Sequence, residues 1–178
     1  LTVLVTGGAR GIGRAIADRY RAHGHTVLTP MRAELELASD ESLDSFVNAM
    51  AATPIDVLVN NAAENVPQTF EEIAPTTLDR ALQVNVRAPF LLTKYFGVAM
   101  AQRGFGRIVN LSSVYALVSR PKRSMYTTTK AALNGLTRAS AVEFAYGNVL
   151  VNAVCPGFVD TDLTRQNNSP EDIARLCG

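Results

Sequence analysis

The sequence predicts an α/β protein built on a doubly wound, Rossmann-like parallel sheet, forming a single domain over residues 1–178. Three observations carry this. Short apolar runs alternate with helix-like stretches along the whole chain, the pattern of a parallel sheet covered by helices on both faces. A glycine-rich turn, Thr6 to Gly13, joins the first strand to the first helix. Finally, 178 residues with 47% hydrophobic content and 17 Lys plus Arg against 16 Asp plus Glu describe one globular domain.

The elements follow in order. Leu1 to Thr6, LTVLVT, reads as a strand buried on both faces. Ile12 to His23 is a helix with Ile12, Ile16 and Tyr20 on one face, closed by Gly24. His25 to Thr29 is a second strand, and Leu35 with Leu37 is expected to form a very short third. Asp40 and Glu41 favour a helix N-terminus, and Leu43, Phe46, Val47 and Met50 supply its apolar stripe. Ile55 to Val59 is a strand, and Thr76 to about Ala101 a long helix interrupted by Pro89. Arg107 to Leu111, Ser124 to Tyr146 and Val149 to Val154 then read as strand, helix and strand, followed by the breaker Pro156-Gly157 and a helix-like stretch from Pro170 to Leu176.

The near-neutral charge provides no broad basic field, so nucleic acid is not an expected partner. The apolar runs fall short of the ~18 residues of a membrane span, and the N-terminus lacks a signal peptide's basic region, so no membrane partner and a cytoplasmic location are expected. Cys155 and Cys177 are too few and too close to the C-terminus to staple the domain and are expected to be thiols. His23 and His25 have no further ligand at metal spacing, so no metal is expected. The chain begins at Leu1 without an initiator Met and stops at Gly178, and reads as trimmed.

In the turn TGGARGIG, Gly7, Gly11 and Gly13 let the chain tighten, bring backbone N–H groups up to a pyrophosphate and close helix on strand, with Ile12 at the helix start. That pattern is expected to bind a dinucleotide. The spacing resembles the short-chain dehydrogenase/reductase family, and further motifs extend the resemblance over almost the whole chain, closest to its ketoacyl-reductase-like members. They are NNAA at Asn60 to Ala63, Asn85 in the long helix, Ser113 after a strand, YTTTK from Tyr126 to Lys130, and PGFVDT from Pro156 to Thr161.

The resemblance implies a reductase or dehydrogenase moving a hydride between a nicotinamide cofactor and a small-molecule carbonyl or secondary alcohol, possessing a ketoreductase activity of the 3-oxoacyl kind among its options. A non-catalytic NADP-binding sensor or scaffold, and a sugar-nucleotide reductase, are the competing readings on the same fold. NADP(H) is expected over NAD(H). Where NAD-preferring relatives carry an Asp, this chain has Met31, and Arg10 and Arg32 occupy the two places assigned to the 2′-phosphate, which cations favour and carboxylates repel. Glu36, followed by Leu37, resembles the acidic position at adenine. Asn60, Ala62, Pro156, Val159 and Thr161 are carried over as cofactor contacts, Thr161 to the nicotinamide carboxamide, although a plain helix cap would also explain it.

Tyr126 and Lys130, four apart, share a helical face. A Tyr acting as acid or base near neutral pH needs a cation that favours its phenolate, and Lys130 is expected to provide it. By resemblance, Tyr126 exchanges the proton with the substrate oxygen, Lys130 also holds the nicotinamide ribose, Ser113 rather than Ser112 orients the substrate oxygen, and Asn85 anchors a water linked to the Lys. Arg120, Lys122 and Arg123, between Ser113 and Tyr126, suit acidic substrates or an acyl-carrier protein, but more often form a solvated loop. The resemblance further implies a homodimer or homotetramer through the two long helices, and a continuation past the Pro-Gly loop. One departure is plain: Pro30 to Glu34 leaves no room for the usual crossover helix between second and third strands.

Overall fold

The computed structural model describes residues 1–169 and 171–173. Five strands, β1 Thr2–Val5, β2 Thr26–Leu28, β3 Val57–Asn60, β4 Gly106–Leu111 and β5 Val149–Val154, form one all-parallel sheet in the order β2-β1-β3-β4-β5. The helices are α1 Gly11–Ala22, α2 Asp40–Ala49, α3 Pro75–Leu82, α4 Ala88–Gln102, α5 Ser124–Glu143 and α6 Asp162–Gln166. The chain leaves β1 toward β2 on one side and returns to β3 on the other, so strand order reverses between β1 and β3. Ligands bind beyond the carboxyl ends of strands at such a switch point.

Strand alternation divides the core. Leu4, Leu58, Ile108, Val149 and Val151 face a cluster that Leu43 and Phe46 of α2, and Leu92, Phe96 and Met100 of α4, complete. Val3, Val5, Val57 and Val59 face the opposite way, onto Ala17, Ile12, Ile16 and Tyr20 of α1. Each fully buried Leu or Ile contributes about 1.5–3 kcal/mol relative to an exposed one. Coverage is uneven: α1 lies against β1 and β2, whereas Leu150 and Val154 of β5 are exposed.

The third strand expected at Leu35 and Leu37 does not form. Both leucines are buried, which explains their pattern, but the segment is a turn in which the Glu34 and Leu35 amides donate to Met31 O and the Glu36 amide to Ser42 Oγ. Five residues cannot supply a parallel crossover, so the chain folds its leucines into the core without reaching a ladder. The helix after Ala74 also differs in detail. Its interruption is a π-helical turn, Gln83–Arg87, just before Pro89. Pro89 has no N–H to give residue 85, and a wider turn at that point accommodates the missing bond. The helix-like stretch expected from Pro170 lies largely outside the described residues, as does Cys177; Cys155 is a free thiol.

Gly147 links α5 to β5 with the chain against the end of α4: a Cβ there would lie 2.4 Å from Ala101 Cα and 2.6 Å from Ala101 O. Backbone cannot step aside as a side-chain tip can, so Gly147→Ala is expected to cost about 1–3 kcal/mol of stability, measurable by urea denaturation.

Candidate active site

The carboxyl ends of β1 and β3 are tied together before any ligand is considered. Thr6 Oγ1 accepts hydrogen bonds from the Asn61 and Ala62 amides, each at 3.1 Å, and Asn61 Nδ2 donates to Thr6 O at 2.9 Å and Gly7 O at 3.2 Å. Gly7 and Gly11 have φ of +64° and +54°, in the left-handed region where a side chain is disfavoured. Gly13 is needed for closeness: a Cβ there would stand 2.4 Å from both Gly7 O and Asn61 Nδ2.

This turn floors a cavity of about 240 Å³ lined by Gly7, Arg10, Gly11, Ile12, Ala62, Tyr126, Lys130, Pro156 and Thr161, all expected cofactor contacts. A second of about 180 Å³ shares Gly7 and Ala62 and is lined by Arg32, Glu36 and Leu37. α1 opens the first cavity with no side-chain cap and no acidic residue in its first turn. Its free amides and the dipole they terminate therefore suit an anion, and the residues present fit a dinucleotide laid from Glu36 to Lys130.

Several expected contacts have other surroundings. Asn60 is buried, its Nδ2 donating to Thr93 Oγ1 and Asn110 Oδ1, so it braces β3 against β4 and α4. Val159 lines an adjoining apolar groove beside α1 that shares Gly11, Ile12, Pro156 and Thr161 with the first cavity. Thr161 both lines the cavity and caps α6, its Oγ1 accepting from the Thr164 amide. Arg32 Nε donates to Glu36 Oε2 at 2.5 Å. Burial opposes the charge on Glu36, yet the Ala38 amide and Arg32 hold its pKa below the usual carboxylate value. Arg10 carries no such partner among the described residues. Asn61, unassigned in the sequence reading, is the clamp described above; the doubled Asn of NNAA was the available signal.

Around Tyr126 the geometry is tighter. Lys130 Nζ donates to Leu111 O at 2.5 Å and lies 5.5 Å from the Tyr126 ring centroid. The Lys130 side chain is 2% exposed, and burial lowers its pKa from 10.5 to about 8. The expected depression of Tyr126 is not found. Burial is the largest influence and raises its pKa above 10.0, while a hydrogen bond with Ser113 and the charge of Arg123 pull the other way. A buried phenol loses hydration when it ionises, and the ammonium is turned to a carbonyl rather than to the hydroxyl.

Ser113 and Ser112 are both buried, with different partners: Ser113 Oγ accepts from the Tyr115 amide, whereas Ser112 Oγ donates to Lys130 O. Asn85, in the π-helical turn, uses its whole carboxamide on neighbours. Its Oδ1 accepts from the Glu64 amide, and its Nδ2 donates to Glu64 O and Thr129 Oγ1. It thereby holds the loop after β3 against the turn of α5 that carries Tyr126. Arg123, expected in a solvated loop, is instead 3% exposed.

The chain matches the family model described as short chain dehydrogenase over residues 31–172. It is 37% identical to the 3-oxoacyl-[acyl-carrier-protein] reductase of Aquifex aeolicus, over 90% of this chain and 75% of that protein. It is 34% identical to an acetoacetyl-CoA reductase of Shinella zoogloeoides, over 91% of this chain and 75% of that one. Among solved structures, a Beutenbergia cavernae protein provisionally assigned as an NAD(P)-dependent gluconate 5-dehydrogenase, with NADP bound at low occupancy, superposes with a TM-score of 0.92. Its identity is 34%, covering 98% of this chain and 79% of that one.

The buried ammonium has a measurable signature. Lys130 destabilises the fold while charged, fully below pH about 8 and not above its ordinary 10.5. Between these values the unfolded chain holds a proton that the native chain has shed, so stability rises with pH. Relative to Lys130→Met, the native chain is expected to gain up to ~3 kcal/mol across that window, read from denaturation midpoints at successive pH values.

Proposed function

We propose that this chain, which belongs to the short-chain dehydrogenase family, is an NADPH-dependent reductase of small-molecule carbonyl compounds, with the secondary alcohol as the product and, in reverse, the substrate. Residues 1–178 are read as one dinucleotide-binding and catalytic domain. The observation that carries the reading is that Tyr126 and Lys130 line the same cavity as the uncapped first turn of α1.

The first-turn amides of α1 hold the pyrophosphate, with Asn61 keeping Gly7 in place. Arg10, exposed and without a carboxylate partner among the described residues, takes the 2′-phosphate. Arg32 contributes less, because a phosphate there competes with Glu36 for its guanidinium. When bound, NADPH supplies the hydride that reduces the carbonyl carbon. The residues handle the oxygen: Ser113 and Tyr126 orient it, and Tyr126 gives it a proton in reduction or removes one in oxidation. Burial favours the protonated phenol, the form an acid requires. As the proton leaves, Lys130 beneath the ring stabilises the growing phenolate charge. Asn85 is a positioning residue, holding the Glu64 backbone and Thr129.

No helix among the described residues is long and apolar enough to cross a membrane. A cytoplasmic location agrees with the free thiol of Cys155. Exposed Phe90 and Val98 on α4 and Val142 on α5 support a homodimer or homotetramer built on these helices.

Two outcomes test the reading. Tyr126→Phe is expected to lower kcat for ketone reduction by ~10²–10⁴-fold with NADPH affinity unchanged, and equal turnover in the variant would contradict the assigned acid. Arg10→Ala is expected to weaken NADPH binding by about 10-fold or more while leaving NADH binding nearly unaltered, as measured by cofactor fluorescence titration.

A further inference from the structure

Among the described residues, no ion pair includes the positive charges of Arg120 and Arg123. Arg123 is 3% exposed, and its guanidinium donates to Asn65 Oδ1 at 3.2 Å, Asn167 O at 3.1 Å and Asn168 Oδ1 at 3.3 Å, all neutral oxygens. Its Nε is buried without a hydrogen-bond partner, as is Oγ of the adjoining Ser124. Arg120 shares Asn168 Oδ1 and lies over two aromatic rings, 5.9 Å from the Tyr115 centroid and 5.6 Å from that of Phe158. Both arginines line a cleft of about 610 Å³, in which the only acidic side chain among the described residues, Asp172, is hydrogen-bonded to Ser169.

Two like charges placed together, one fully buried, are costly unless an anion joins them. The location says which anion. Tyr115, beneath Arg120, meets Tyr126 edge to face with centroids 6.3 Å apart, so the cationic pair is one ring away from the group assigned to the substrate oxygen. Arg123 also acts electrostatically on Tyr126 itself.

We propose that Arg120 and Arg123 form an anion subsite for a carboxylate on the substrate, making the preferred substrates keto acids and, in reverse, hydroxy acids. The proposal rests on the reductase reading for its substrate and on the arginine pair for its charge. Arg120, partly exposed, makes the contact, and its planar fork matches the two oxygens of a carboxylate. Arg123 lies behind it as a fixed charge and holds Asn168, which positions Arg120.

The test is a ratio. kcat/KM with NADPH is measured for a series of 2-, 3- and 5-keto acids, each beside its own methyl ester, for the native enzyme, Arg120→Met and Arg123→Met. The native enzyme is expected to favour at least one acid over its ester by about 10-fold or more, and each substitution to bring that ratio close to one. A purely structural arginine would lower both activities together and leave the ratio intact, overturning the proposal, as would native turnover of esters equal to that of acids. If Arg123→Met does not fold, Arg120→Met alone decides. If neither acids nor esters are reduced, the reductase reading fails and the subsite is judged by calorimetric titration of succinate into the native protein and Arg120→Met. Binding lost in the variant supports it; no binding, or equal binding, overturns it.

Discussion

The hydrogen bonds from the Asn61 carboxamide to the carbonyls of Thr6 and Gly7 fix the turn on which the other features of the site depend. A chain with two left-handed glycines has many alternative paths. Here the end of β3 selects one of them, and Thr6 Oγ1 returns the contact by accepting from the Asn61 and Ala62 amides. Gly13 can then lie where a methyl group would collide with Gly7 O, which brings the first turn of α1 over the strand ends. The uncapped amides, the cavity and its distance from α5 follow from this one closure.

At the opposite wall, burial governs the chemistry. Tyr126 and Lys130 are both pushed toward their neutral forms, the phenol upward and the amine to about 8. A site of this kind stores a protonated acid next to a cation whose partner is a backbone carbonyl. In the proposed reaction, the charge forming on the oxygen during proton transfer would be met by groups already in place, which is where preorganised electrostatics has its largest effect. The arginine pair beyond Tyr115 extends the same logic from the reacting oxygen to the remainder of the substrate.

Much of this was legible in the residues. Glycine spacing after an apolar run pointed to the tight turn between β1 and α1, because glycine readily takes that left-handed backbone, and the Tyr126–Lys130 interval pointed to a shared face of α5, because three to four residues make one turn. The Leu35–Leu37 pair misled for a physical reason: alternation reports burial, and a buried turn alternates as a strand does. The direction of the Tyr126 shift was also hidden, since sequence spacing shows that an ammonium is near but not that its proton points to Leu111 O. Arg123 was hidden most fully. A run of basic residues in a loop gives no sign of which one turns inward, and its three neutral partners come from segments 58, 44 and 45 residues away.

The most direct test of the central claim is a crystal structure of the protein with NADP bound. The pyrophosphate is expected on the amides at the start of α1, the 2′-phosphate at Arg10, and the nicotinamide ring in the cavity between Tyr126 and Pro156. A nucleotide found instead in the apolar groove beside α1, or a nicotinamide out of reach of the Tyr126 hydroxyl, would contradict the account.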